Sequence, residues 1–248
     1  MLPSSVISLA PPCLNLKKCC LFLDFDGTLV DIVERPDAVI VNAALNALLK
    51  RLQTKFEHRL AIVSGRSIAQ LEAFLGTEAT ELALVGSHGA EIRLGTQSVR
   101  APYRPDALEG AETYFKQAFA EQPNVVIEVK SFGVAIHYRL DPTVEGIAIK
   151  MASEFASKYG LELQHGKMMV ELRTLGHDKG SGINALMSDA PFAGYTPVFI
   201  GDDVTDEPGF VASAANGGFG ILVGAPRETS AQYRLENVAS VHQWLETI

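Results

Sequence analysis

The stretch Leu21-Phe22-Leu23-Asp24-Phe25-Asp26-Gly27-Thr28-Leu29 constrains the fold of this chain more than any other. From Cys19 to Phe25 the residues are almost continuously apolar, without the alternation of a strand that has one wet face. Such a run reads as a strand buried on both sides, the kind found in parallel sheets covered by helices. The strand then ends by presenting two carboxylates two positions apart, followed by a glycine turn.

The neighbouring sequence repeats the theme. Asn42 to Phe56 places Leu45, Leu48, Leu49 and Leu52 at helical spacing. Arg59 to Val63 reads as the next strand, stopped by Ser64-Gly65-Arg66. Ile68 to Leu75 reads as a helix. Leu82 to Val85 is a third strand, stopped by Gly86-Ser87-His88-Gly89. Strands alternating with helices predict an α/β fold, a Rossmann-like doubly wound parallel sheet.

After Glu91 the pattern changes. A helix over Pro105 to Ala120 precedes strands Val125 to Lys130 and Val134 to Arg139. A second helix, Pro142 to Tyr159, carries Val144, Ile147, Met151 and Phe155 on one stripe. Strands Leu161 to Gln164 and Met168 to Arg173 follow, around His165-Gly166-Lys167. Helix–hairpin–helix–hairpin predicts an inserted α+β cap domain over 93–176. The doubly wound pattern resumes with a helix at Lys179 to Met187 and strands at Pro197 to Ile200 and Gly220 to Val223. A short helix near Trp244 closes the chain. The expected core is therefore 16–92 with 177–248, and 1–15 is expected to be a loose arm.

The 248 residues carry a net charge of −8, which argues against a nucleic-acid partner. It also means that an anionic substrate needs a cation or local basic groups to attract it. Cys13, Cys19 and Cys20 are odd in number and clustered, so free thiols in a reducing cytoplasm are expected. No segment reaches the ~20 apolar residues of a membrane helix. A cytoplasmic monomer acting on a small molecule is the expectation.

In an open parallel sheet the active site lies beyond the carboxyl ends of the strands. Four expected strands end there in polar residues: Asp24 and Asp26, Ser64, His88, and Asp202 with Asp203. Each has an ordinary reading alone: a turn, a helix cap at Ser64 or Asp206, a surface lysine at Lys179. Their convergence points to phosphoryl transfer. A phosphate ester is dianionic and repels an attacking carboxylate, so a divalent cation must screen the two. Mg2+ takes oxygen ligands. Asp24 and Asp202 suit it, with the Asp26 carbonyl, Asp203 and Asp206 in support. Asp24 is the candidate nucleophile and Asp26 the candidate general acid and base. Ser64 and the N–H groups near Gly65 suit phosphate oxygens. Lys179, at a helix start, balances charge.

These segments, Asp24-Phe25-Asp26-Gly27-Thr28, Ser64-Gly65-Arg66, Lys179-Gly180 and Gly201-Asp202-Asp203, resemble the four motifs of the haloacid dehalogenase (HAD) superfamily. The insertion resembles the αββ-repeat cap of its sugar-phosphate phosphatases. A finer resemblance, to the trehalose-6-phosphate phosphatase family, rests on further segments. They are Gly86-Ser87-His88-Gly89-Ala90-Glu91, Glu128-Val129-Lys130, His137-Tyr138-Arg139, Gly166-Lys167-Met168-Met169-Val170-Glu171 and Gly201 through Glu207. It implies trehalose 6-phosphate as substrate, Mg2+ as cofactor and an aspartyl-phosphate intermediate. It also implies substrate contacts from Gly65, Arg66, His88, Glu128, Lys130, Lys167, Glu171 and Arg173. Pro208-Gly209-Phe210 departs from the family pattern and is expected to reshape the turn without touching the metal site.

The cap strands carry part of this without the family. Val125, Ile127 and Val129 alternate with Glu128 and Lys130, and Val170 and Leu172 with Glu171 and Arg173. One face is greasy and the other charged. A charged face is either simply wet or suited to sugar hydroxyls. Sucrose phosphate, mannosyl-phosphoglycerate or another sugar phosphate remains an alternative substrate. A non-catalytic phosphosugar sensor remains the alternative of another class.

Overall fold

The computed structural model describes residues 10–33, 39–166 and 168–248. The chain divides into two compact units, Met1–Ala101 with Asp178–Ile248, and Pro102–His177. The first boundary falls later than residue 93, because Ile92 pairs with Arg100 in a β-bridge that keeps this segment with the first unit. Of the expected arm, 1–9 lie outside the described residues, while Leu14 packs on the core of the first unit.

Along the chain the first unit contributes β1 (Cys19–Leu23), α1 (Ala43–Lys55), β2 (Leu60–Val63), α2 (Ile68–Leu75), β3 (Ala83–Gly86) and β4 (Glu91–Arg93). The second unit supplies α3 (Asp106–Ala118), β5 (Val126–Lys130), β6 (Gly133–His137), α4 (Glu145–Tyr159), β7 (Glu162–Gly166) and β8 (Met169–Arg173). The chain then returns with α5 (Lys179–Met187), β9 (Thr196–Gly201), α6 (Glu207–Ala215), β10 (Phe219–Val223), β11 (Tyr233–Leu235) and α7 (Val238–Thr247).

The sheet of the first unit has the order β11-β10-β9-β1-β2-β3-β4 among the described residues. All its pairings are parallel except β3 with β4. Alternate side chains of each strand feed opposite faces. Leu21, Leu23, Leu60, Ile62, Val198 and Ile200 pack under α1, α2 and α7. Cys20, Phe22, Ala61, Val63 and Phe199 pack under α5 and α6. The strand with no polar alternation is thus the central one, covered on both faces. The chain winds outward from β1 in both directions, so a crevice opens past its carboxyl end.

The second unit is a four-stranded antiparallel sheet, order β5-β6-β8-β7, with α3 and α4 on one face. The buried residues of α4 are Ala148, Ala152 and Ala156. The stripe read from the sequence is displaced: Met151 and Phe155 flank the contact half-buried, and Ile147 is exposed. Small side chains let the helix seat close to the sheet, and bulkier ones fill the margins. Val129 faces the apolar side yet remains 43% exposed, because β5 is an edge strand. No helix among the described residues is long and apolar enough to cross a membrane.

Candidate active site

Asp24 follows β1 directly, and its N–H donates to the Ile200 carbonyl (2.9 Å) on neighbouring β9. Asp202 follows β9 in the same way. Gly27 has φ +80°, and a Cβ there would lie 2.2 Å from Asp202 Oδ2. The glycine of the turn is therefore needed twice, for its backbone conformation and for the room it leaves the Asp202 carboxylate. Gly201 does the same for Asp206, since a Cβ there would meet Asp206 Cγ at 2.4 Å.

Asp206 is fully buried at 0% exposure. Its Oδ2 accepts from the N–H groups of Asp202 and Asp203, both at 2.9 Å. Its Oδ1 accepts from Lys179 Nζ at 2.6 Å. Lys179 also donates to Asp24 Oδ1 at 2.7 Å. The lysine opens α5, whose N-cap is Asp178 in a capping box with Ser181. One buried ammonium thus ties the end of β1 to the turn after β9. A buried ion pair costs desolvation, which hydrogen bonds to the remaining donors and acceptors offset.

The electrostatics follow. Burial pushes the Asp24 carboxyl well above its ordinary range; Lys179 opposes this, and Asp206 and Asp202 add to it. Asp202 is pushed up to about 6, first by burial and then by the charge of Asp206. Burial alone would lower Lys179, but Asp206 and Asp24 outweigh it and hold the ammonium charged. Carboxylate oxygens of Asp24, Asp202 and Asp206 lie within 4.8 Å of one another. Three acids with one buried lysine leave an excess of negative charge, and all the donors are hard oxygens. The set fits Mg2+. Asp206 has both oxygens engaged, so Asp24 and Asp202 are the better direct ligands. Asp203 spends its Oδ1 on the Val204 N–H, capping a short helical turn.

Asp26 is drawn elsewhere. Both its oxygens accept from Arg66, Oδ2 from Nε at 2.6 Å and Oδ1 from a terminal nitrogen at 2.7 Å. The Arg66 guanidinium also stacks on Phe74, 4.8 Å from the ring centroid. Arg66, expected among the substrate contacts, is thus paired with Asp26. No periodic signal links the loop after β1 to the loop after β2.

Ser64 is buried after β2, and its Oγ accepts from the Arg66 N–H at 3.1 Å. The cap of α2 is Ser67, so Ser64 is not committed to capping. Gly65 lies against His88: a Cβ there would meet the imidazole at 2.5 Å. Ser87 and His88 both take left-handed φ, 48° and 53°, a cost of about 1–3 kcal/mol each that recurs at functional sites. Glu91, unremarked as a single residue in the sequence, braces the two loops. Its Oε2 accepts from the Ile68 N–H and from Ser87 Oγ, both at 2.9 Å. Gly86 makes room for it.

In the second unit the register defines the polar face. Glu128, Ala135, Glu171 and Gln164 form one row across the four strands. Lys130, Gly133, Arg173 and Glu162 form the next. Lys130 Nζ donates to Glu171 Oε2 at 2.5 Å. Gly133 makes way for that acid, since a Cβ there would lie 2.5 Å from Glu171 Oε1. Arg173 is paired with Glu162 through two hydrogen bonds of 3.1 and 2.9 Å. Lys167 lies outside the described residues.

Strand-end acids, a buried lysine and a serine-bearing loop on a doubly wound sheet define a hydrolase of the haloacid-dehalogenase type. A haloacid dehalogenase-like hydrolase from Bacteroides thetaiotaomicron shares this fold, with a TM-score of 0.68 at 17% identity over 93% of this chain and 98% of that one. Residues 22–239 match the model of the trehalose-phosphatase family. The chain belongs to that family and is a phosphoric monoester hydrolase. It is similar to a trehalose-6-phosphate phosphatase of Escherichia coli strain K12, at 36% identity over 93% of this chain and 86% of that protein. A probable trehalose-phosphate phosphatase of Sinorhizobium fredii is 37% identical over 86% and 80%. The C-terminal domain of a C. albicans trehalose-6-phosphate phosphatase gives a TM-score of 0.79 at 25% identity, covering 95% of this chain and 97% of that one.

Proposed function

We propose that this chain hydrolyses trehalose 6-phosphate to trehalose and phosphate, with Mg2+ as cofactor and a phosphorylated Asp24 as intermediate. The observation that carries the chemistry is the buried Asp24–Lys179–Asp206 cluster beside Asp202. Similarity to the named phosphatases supports the substrate.

An Asp24 carboxylate oxygen bonds to phosphorus as the bond from phosphorus to the sugar oxygen breaks. Asp26 gives its proton to that departing oxygen. Water then attacks phosphorus, Asp26 takes its proton, and the bond to Asp24 breaks to release phosphate. Both Asp26 oxygens accept from Arg66, so proton delivery requires one of these hydrogen bonds to be given up. Lys179 holds Asp24 in place and balances its charge. Ser64 Oγ and the N–H groups near Gly65 bind phosphate oxygens. Mg2+, held by Asp24 and Asp202 with Asp203 and Asp206 in support, would screen the repulsion between the phosphate ester and its attacker. Glu128, Lys130, Glu171 and Arg173 recognise the sugar, carboxylates accepting from hydroxyls and cations donating to them. His88 lies against Gly65 of the phosphate loop; the family resemblance, not its position, is what assigns Lys167 to the sugar.

The test is turnover by Asp24→Asn and by the parent protein in EDTA. Both are expected to lose more than about a thousandfold in phosphate release, with the fold retained. Full activity in either would refute the mechanism.

A further inference from the structure

The polar face of the second unit contains a device that its four acidic and basic sugar contacts do not explain by themselves. Glu171 on β8 is clamped from adjacent β6 and from β5 beyond it. Lys130 on β5 binds its Oε2, and Gly133 on β6 leaves space for its Oε1. Glu128 has a clamp of its own. His137, the last residue of β6, points to the same face as Glu128, since the register pairs it with Val126, two residues away on β5. Its Nε2 lies 2.8 Å from Glu128 Oε2. Both side chains are half-buried. Between the two clamped acids the row holds Ala135, which is itself fully buried.

A glutamate on an edge strand has three side-chain torsions, and fixing them at the moment of binding weakens binding. A carboxylate already held by a cross-strand donor has lost that freedom beforehand. We propose that His137 is a positioning residue for Glu128, presetting one of the two acids that recognise the sugar. The inference rests on the reading of this face as the sugar-binding surface. It assigns His137 no contact with the reacting atoms.

The experiment measures kcat and KM for trehalose 6-phosphate in His137→Ala, His137→Gln, Glu128→Gln and the His137→Ala/Glu128→Gln double variant. His137→Ala is expected to raise KM about tenfold with kcat changed less than about twofold, the size of one immobilised side chain. His137→Gln keeps an N–H donor on the side chain and is expected to recover most of that loss. The two losses are expected to be non-additive, since both residues belong to one charge-assisted contact. Additive losses, an unchanged KM in His137→Ala, or no recovery by glutamine would overturn the positioning role while leaving the face as the sugar site. An unchanged KM in Glu128→Gln would overturn both the role and the reading on which it rests. Melting curves of each variant show whether a loss reflects unfolding, and recovery by glutamine at equal stability separates positioning from packing.

Discussion

Replacing Asp206 by asparagine probes the site more sharply than truncation, because it keeps the shape of the side chain and changes its charge and hydrogen-bond polarity. The native carboxylate accepts three times and donates to nothing: once from Lys179, and once each from the Asp202 and Asp203 backbones. An amide has one oxygen and one NH2 group. If the oxygen faces the two backbone donors, the NH2 group meets the Lys179 ammonium. If it faces Lys179, the NH2 group meets both backbone N–H groups. Either orientation loses at least one charge-assisted hydrogen bond, worth about 1.5–3 kcal/mol, and leaves a buried donor unsatisfied at about 1–3 kcal/mol. Removing one negative charge relieves Asp24 and Asp202 and offsets part of this. A net destabilisation of about 3 kcal/mol follows. In a chain of this size it corresponds to a fall in Tm of about 6–12 °C. Thermal melting of the metal-free protein measures it, and amide hydrogen exchange localises it. The Asp202 and Asp203 amides should lose protection where the NH2 group faces them and keep it where the oxygen does. A variant melting within about 2 °C of the parent, with both amides still protected, would refute the accounting.

Two further outcomes follow from the same geometry. Gly27→Ala places a methyl where the Asp202 carboxylate now lies, at a positive φ, and should lower kcat about a hundredfold by displacing that acid; an unchanged kcat would show that Asp202 has latitude. Asp202 binds a proton more tightly folded, at about 6, than unfolded, near its ordinary 3.8. Its contribution to stability is therefore full below the unfolded value and is lost as pH rises through the folded one. Metal-free protein should be more stable at pH 5 than at pH 7 by about 1 kcal/mol from this group, since pH 5 already lies above the unfolded value, and Asp202→Asn should flatten the difference.

The central sheet was legible because burial on both faces and polar strand ends leave the same mark at β1, β2, β3 and β9. Two elements left weaker marks. β4 and β11 span only Glu91–Arg93 and Tyr233–Leu235, too short for any period to register. Pro208-Gly209 read as a reshaped turn, whereas Pro208 occupies the first turn of α6, where its missing N–H costs nothing. Gly209 lets that helix approach Phe199 on the sheet, where a Cβ would lie 2.4 Å from the ring. In α4 the large apolar residues suggested a stripe displaced from the buried one, because alanine carries little weight in a hydrophobic pattern yet permits the closest packing. In the site, residue types and strand ends identified Asp24, Lys179 and Asp202. The pairings of Asp26 with Arg66 and Glu128 with His137 join loops or neighbouring strands, and single-strand periodicity does not reach across them.

We read this chain as a sugar-phosphate monoesterase whose preferred substrate is trehalose 6-phosphate. Phosphate release from trehalose 6-phosphate, sucrose 6-phosphate and glucose 6-phosphate, measured side by side with Mg2+, tests it most directly. The expected kcat/KM for trehalose 6-phosphate exceeds the others by more than about a hundredfold, as a site built to hydrogen-bond sugar hydroxyls would give. Equal or faster turnover of either competitor, or no release from trehalose 6-phosphate, would contradict it.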